Sequence, residues 1–148
     1  MSARLKGTAR HNMDAKGRLS IPAKMRDGIG KEFVVTRGLE KCLYVYSSES
    51  WDVFTEKLDA LGDSKANVRT VKRFFQANAE DCELDAQGRT LIPPELRKMA
   101  GLEKEVVIVG NGNKLEIWSA EEWDKLSGSE EMSSENIQSI LDNSDFDF

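Results

Sequence analysis

The stretch Asp14-Ala15-Lys16-Gly17-Arg18-Leu19-Ser20-Ile21-Pro22 returns 71 residues later as Asp85-Ala86-Gln87-Gly88-Arg89-Thr90-Leu91-Ile92-Pro93. Six of the nine positions are identical, and Arg26 meets Arg97 four residues further on. The correspondence continues outward with small changes in loop length. Lys31-Glu32-Phe33-Val34-Val35 meets Lys104-Glu105-Val106-Val107-Ile108, Leu43-Tyr44-Val45-Tyr46 meets Leu115-Glu116-Ile117-Trp118, and Trp51 meets Trp123. Isolated Gly-Arg pairs arise by chance, but an ordered series over about 40 positions does not, and it marks an internal duplication.

Each copy has the same local grammar. A strand over 8–13 in the first copy runs into Asp-x-x-Gly, where the Asp carboxylate can accept from backbone amides and Gly can take positive φ. A second strand follows at 18–21 or 89–92. Pro22 or Pro93 then ends that strand and suits the first turn of a short helix, with Gly28 and Gly101 as its expected stops. Next comes an apolar hairpin, 33–36 with 42–46 and 105–109 with 114–118, with Asn111-Gly112 in the second turn. A helix follows each hairpin. Trp51, Phe54, Leu58 and Leu61 share a helical face expected in the core, and Ser119-x-x-Glu122 reads as a capping box. Residues 64–79 add a helix with Val68, Val71 and Phe75 on one side.

Neither copy is large enough to bury its strands alone. The expected solution is one α+β module, β-rich with peripheral helices, in which both copies pair about a pseudo-twofold axis as an interleaved sheet or small barrel. The resulting division is a first repeat at 8–51, a helical connection at 52–79, a second repeat at 80–123 and an acidic, flexible tail at 127–148.

Charge separates along the same boundaries. The 148 residues carry a formal charge of -5, but residues 127–148 hold six acids and no Lys or Arg. Without them, 21 basic residues face 20 acidic ones. Residues 1–26 contain Arg4, Lys6, Arg10, Lys16, Arg18, Lys24 and Arg26 against Asp14 alone. Lys65, Arg69, Lys72 and Arg73 form a second basic block. Segregated charge of this kind concerns partners rather than fold.

Chemistry by catalysis has little material. His11 is the sole histidine and aligns with Cys82; both stand two residues before an apolar position, Met13 or Leu84, as packed or interface residues would. Asp14 and Asp85 are explained by their turns, so an acid–base pair is not needed. Gly110-Asn111-Gly112-Asn113 lies between strands and does not open a helix, which rules out a phosphate loop. Cys42 and Cys82 are expected as reduced thiols, and no residues are spaced to hold a metal. The longest aliphatic run, Val106 to Val109, is far short of a bilayer span, and the N-terminus lacks the apolar core of a secretory signal.

Binding fits better. Arg10 stands against Asp81, Lys16 against Gln87 and Lys24 against Glu95, so positive charge favours one copy while core positions agree. A β-ribbon can enter the major groove of B-DNA, and an Arg on it can bind guanine through two hydrogen bonds. On this reading Arg10, Lys16 and Arg18 face DNA, and Gly17 lets the loop backbone approach a phosphate or base edge. A rival role for Arg18 and Arg89 is to brace Asp14 and Asp85 through charge-assisted bonds.

The doubled Asp-x-x-Gly-Arg pattern, Asp14 to Pro22 and Asp85 to Pro93, resembles the MraZ family of bacterial transcriptional regulators from about residue 5 to residue 126. The resemblance implies two fused AbrB-type (swapped-hairpin) halves, a ring-shaped homo-oligomer, no cofactor, and a cytoplasmic, nucleoid-associated protein. It implies action on double-stranded DNA at direct repeats in the promoter of the division and cell-wall gene cluster, including the gene's own promoter. The binding loop then falls on Lys16, Gly17 and Arg18, with Arg89 the matching arginine and Asp14, Asp85 and Gly88 shaping the turns. Gln87 departs from Lys16, and the tail lies outside the motif. A competing reading is a protein-interaction, antitoxin-like module in which Met132, Ile137, Ile140, Leu141, Phe146 and Phe148 of the tail engage a partner.

Overall fold

Pro22 and Pro93 set φ at -55° for both and cannot extend a ladder, so each copy's second strand is cut to three residues before a one-to-two-turn helix begins. That punctuation gives the chain its order. The computed structural model describes residues 4–147. The first copy runs β1 (Thr8–Asn12), β2 (Arg18–Ser20), α1 (Ala23–Ile29), β3 (Glu32–Arg37), β4 (Cys42–Ser47) and α2 (Ser48–Asp59). Helix α3 (Ala66–Gln76) links it to β5 (Glu80–Glu83), β6 (Arg89–Leu91), α4 (Pro94–Ala100), β7 (Glu105–Gly110), β8 (Leu115–Ser119) and α5 (Ala120–Ser127).

The copies are exchanged into one another. The main sheet has the order β1-β7-β8-β4-β3-β5, so the first strand of each copy pairs with the hairpin of the other. Arg10 lies opposite Val107 in one exchanged pair, and Phe33 lies opposite Cys82 in the other. The two central strands, β4 and β8, join the halves, with Leu43 opposite Ile117. A separate two-stranded ribbon pairs β2 with β6. Both sheets therefore map onto themselves when the copies are swapped. This is the interleaved, pseudo-twofold α+β module that the duplication predicts, built as a sheet plus a ribbon.

Burial on both faces of the central strands explains their continuous apolar runs. Alternation sends Leu43 and Val45 into one cluster with Leu19, Ile21, Phe33, Ile92, Ile108 and Ile117. Cys42, Tyr44 and Tyr46 go to the opposite face, where Trp51 and Phe54 of α2, Phe75 of α3 and Trp123 of α5 cover them. Tyr46 stacks on Phe54 at 5.1 Å between ring centroids, and Phe54 meets Phe75 edge-on. The hydroxyl of buried Thr36 donates to the Phe75 carbonyl at 2.6 Å, tying α3 to the sheet. Burial raises the Cys42 thiol to about 12, leaving it an inert packing group.

Four local expectations need correction. Gly28 lies inside α1 and is buried; Gly30, at φ +78°, follows its last turn, because the main chain must reverse there to enter β3. Leu61 lies beyond the end of α2 and is exposed, and Val71 on α3 is also exposed, while Leu58 and Phe75 are buried against the sheet. Only half of the capping box forms: Ser119 Oγ accepts from the Glu122 amide at 3.1 Å, while the Glu122 carboxylate turns to Lys41 and Lys125. Finally, the acidic tail carries regular structure, a 3-10 turn over Glu130–Met132 and helix α6 (Ser134–Asp142). Its N-cap is Ser133, whose hydroxyl accepts from the Asn136 amide, and Glu135 sits in its first turn, near the helix's positive end. Phe148 lies outside the described residues.

Candidate nucleic-acid interface

The turn motif works as the side-chain chemistry dictates. Asp14 Oδ1 accepts from the amides of Lys16 and Arg18, both at 2.9 Å, and Oδ2 accepts from Arg18 Nε at 2.7 Å. The Gly17 amide returns to the Asp14 carbonyl at 3.0 Å. These bonds, led by the Arg18 amide and then its guanidinium, hold the Asp14 carboxyl down at about 2. The second copy repeats the pattern. Asp85 accepts from the amides of Gln87 and Arg89 and from Arg89 Nε at 3.1 Å, which lowers its pKa through the same causes.

Arg18 and Arg89 are therefore braces, as the rival reading held, but bracing uses only Nε. The terminal nitrogens of Arg18 have no partner among the described residues, and one of Arg89's donates to Gln87 Oε1 at 3.2 Å. A guanidinium fixed at Nε keeps its outer edge free for two parallel bonds to an acceptor pair. Both functions fit one side chain. Lys16 is exposed, and its amine also has no partner among the described residues.

The two loops lock each other, an arrangement the sequence reading did not anticipate. Gly17 is buried at φ +91°, and a Cβ there would lie 2.5 Å from Cζ of Arg97, which belongs to the other copy. Gly88, at φ +76°, stands in the same relation to Arg26. Arg97 Nε donates to the Ile92 carbonyl at 2.9 Å, and Arg26 Nε donates to the Ile21 carbonyl at 2.7 Å. Backbone bonds complete the exchange, from the Ile92 amide to the Gly17 carbonyl and from the Ile21 amide to the Gly88 carbonyl. Gly17, buried, thus makes room for a guanidinium of the other copy within the protein. The available signal was the coincidence of Gly17 with Gly88 and Arg26 with Arg97 across copies.

Arg10 also behaves differently from expectation. Its guanidinium bonds Asp124 of α5 and lies 3.7 Å from Glu105, so its charge is already matched within the fold. It sits on the main sheet, whereas Arg18 and Arg89 sit on the ribbon. His11 is half-buried on β1 opposite Val106, as a packed residue would be.

Alternation on the ribbon sends Leu19 and Thr90 inward and Arg18, Ser20, Arg89 and Leu91 outward. Arg18 faces Leu91, and Ser20 faces Arg89. The outcome is a two-stranded ribbon with Arg18 and Arg89 on its outward face and the two Asp-x-x-Gly-Arg loops at its ends. Among the described residues there is no cluster of His, Cys, Asp and Glu able to hold a metal ion, and no helix long and apolar enough to cross a membrane.

Fold and site together define an internally duplicated module in which the two copies exchange their first strands and present Arg18 and Arg89 on one ribbon. The family model of the "MraZ protein, putative antitoxin-like" matches residues 5–74 and again residues 75–143, so the second match includes α6 and extends past the motif boundary read from sequence. Relatives with high identity carry the name "Transcriptional regulator MraZ". The one from Natranaerobius thermophilus is 47% identical over 92% of this chain and 96% of its own length. That of Desulforamulus reducens is 45% identical over the same shares, and that of Caldanaerobacter subterraneus subsp. tengcongensis is 47% identical over 94% and 97%. The chain belongs to the MraZ family, a family of transcriptional regulators rather than enzymes.

Proposed function

We propose that the chain is a sequence-specific DNA-binding transcriptional regulator that docks the β2–β6 ribbon in the major groove. The observation that carries this reading is the pair of arginines, Arg18 and Arg89, each anchored at Nε by its own Asp, Arg18 with both terminal nitrogens left over and Arg89 with one. Anchoring removes side-chain entropy before binding, which is the cost a long flexible Arg otherwise meets at an interface. Lys16 adds a phosphate contact at one loop, and Gln87 supplies a neutral hydrogen-bonding group at the other. The first loop therefore contributes more electrostatic attraction. Arg10 is secondary, because binding DNA through it would require releasing Asp124.

One ribbon offers few phosphate contacts, so a single unit would bind weakly and with strong salt dependence. A ring of identical subunits facing successive direct repeats would raise avidity by roughly 10²–10⁴. We infer such a ring, acting in the cytoplasm on the nucleoid, at direct repeats upstream of the gene's own division and cell-wall cluster. The test is fluorescence anisotropy of the full chain on its own upstream duplex, with one repeat against tandem repeats, alongside native mass. Tight binding to tandem repeats and weak binding to one is expected; equal affinity for the two would remove the ring, and no preference over unrelated duplex would remove the operator.

An interaction role for the tail remains a second reading, favoured by α6, where Ile137 and Ile140 are exposed on a helix whose main packing partner is the 3-10 turn. Deleting residues 127–148 separates the two: DNA binding persists on the first reading and partner capture fails on the second.

A further inference from the structure

Leu91 is an anomaly on the ribbon. It is 54% exposed, on a strand whose other outward residue is Arg89, directly across from Arg18. An exposed Leu needs no explanation when it stands alone on a surface. Here, however, the duplication supplies an internal control. The same position in the first copy is Ser20, half-buried and outward, opposite Arg89. The ribbon forms with a hydroxyl at one of its two equivalent places, so the fold does not require an apolar side chain at the other.

We propose that Leu91 is a base-reading residue that takes the 5-methyl group of a thymine in the major groove, beside the guanine bound by Arg18. The inference rests on the DNA-binding reading above and specifies part of its operator. Thymine is the one base that presents a methyl group in the major groove, and apolar side chains recognise it by contact. Directly opposed residues of an antiparallel pair hold their Cβ atoms about 4.5–5.5 Å apart, and successive bases on one strand rise about 3.4 Å. Arg18 and Leu91 therefore span one to two base steps, and the thymine lies one or two positions from the guanine. Ser20 and Arg89, at the equivalent place across the pseudo-twofold axis, lack the methyl contact. The site read by one ribbon is thus asymmetric: its half under Arg18 and Leu91 prefers a thymine, and its half under Arg89 and Ser20 has no methyl contact. That asymmetry gives the protein a direction on DNA, as direct rather than inverted repeats require.

The experiment replaces each operator thymine in turn by uracil, which removes only the methyl group, and measures affinity for the full-length wild-type chain and for Leu91→Ala and Leu91→Met. The expected result is one thymine per repeat, one or two positions from a guanine, whose methyl loss weakens wild-type binding about four-fold, the factor that burying one methyl-sized group supplies. Leu91→Ala should be insensitive to that substitution, and Leu91→Met should regain the sensitivity. Equal methyl sensitivity in wild type and Leu91→Ala, or no sensitive thymine at all, would overturn the inference and leave DNA binding standing. A changed native mass for Leu91→Ala with methyl sensitivity intact would assign Leu91 to a contact between copies and likewise overturn it. Failure of the unmodified chain to bind any upstream duplex would overturn both. Because Leu91 is outward and its neighbours Thr90 and Ile92 carry the packing, both variants should melt with the wild type.

Discussion

Replacing Gly17 by Ala tests the interlocked loops. The added Cβ falls 2.5 Å from Arg97 Cζ and 2.7 Å from Nε, closer than any real Cβ contact, and the position has φ +91°. Two costs follow. A non-glycine residue at positive φ costs about 1–2 kcal/mol. In addition the guanidinium must move, and with it goes the Arg97 Nε bond to the Ile92 carbonyl, a charge-assisted hydrogen bond worth about 1.5–3 kcal/mol. Gly62 is the control: its φ is +78°, yet nothing lies within 4 Å of a Cβ built there. Gly62→Ala shares the backbone cost and the offsetting loss of unfolded-state entropy, so both largely cancel in the difference. The expected excess for Gly17→Ala is about 1.5–3 kcal/mol, which lowers the melting temperature by roughly 5–10 °C relative to Gly62→Ala for a domain of this size. Urea denaturation with matched slopes gives the free energy directly. Equal destabilisation by the two substitutions would refute the cross-copy lock, and Gly88→Ala should match Gly17→Ala because Arg26 stands where Arg97 does.

Thr90 Oγ1 is buried with no hydrogen-bond partner among the described residues, opposite Leu19. Thr90→Val removes that unpaired hydroxyl at constant shape and should stabilise the chain by about 1 kcal/mol in the same denaturation assay. The Asp14 carboxyl, held at about 2, contributes stability that is complete above the ordinary carboxylate pKa and is lost as pH falls from about 4 toward 2. Asp14→Asn should therefore flatten the acid limb of the melting profile, and an NMR titration of the wild-type carboxyl should find its midpoint well below that of a free Asp. Arg10→Ala should change operator affinity less than two-fold, because its charge is already matched by Asp124 and Glu105; a loss as large as that of an Arg18 variant would return Arg10 to the interface.

Much of this fold was legible because the sequence states it twice. Pro22 with Pro93, the two Asp-x-x-Gly turns and the paired apolar hairpins specify a module in duplicate, and exchange of first strands follows from each copy being too small. What escaped was set by contacts between distant residues. Gly17 meets Arg97 and Gly88 meets Arg26 only after the copies interleave, so each glycine reads locally as a turn residue. Arg10 looked free because its partner, Asp124, is 114 residues away. Gly28 and Gly30 carry the same stop signal two residues apart, and the chain uses Gly30. The tail's acidity masked Ser133 and the Ile137, Ile140, Leu141 spacing that mark α6. In the candidate site the loops and their arginines were visible. That one guanidinium can brace its own turn and still offer two donors outward was not, since it depends on which nitrogen the Asp engages.

The central claim is that the outer edges of Arg18 and Arg89 read DNA from an oligomer whose fold they only trim. Operator affinity of the full chain carrying Arg18→Ala, measured by anisotropy at fixed salt together with native mass and melting temperature, tests it most directly. A bidentate base contact is worth about 1–3 kcal/mol and, in the ring proposed above, would be repeated in every engaged subunit, so a loss well beyond ten-fold is expected with mass unchanged and melting nearly so. Wild-type affinity in that variant would contradict the account.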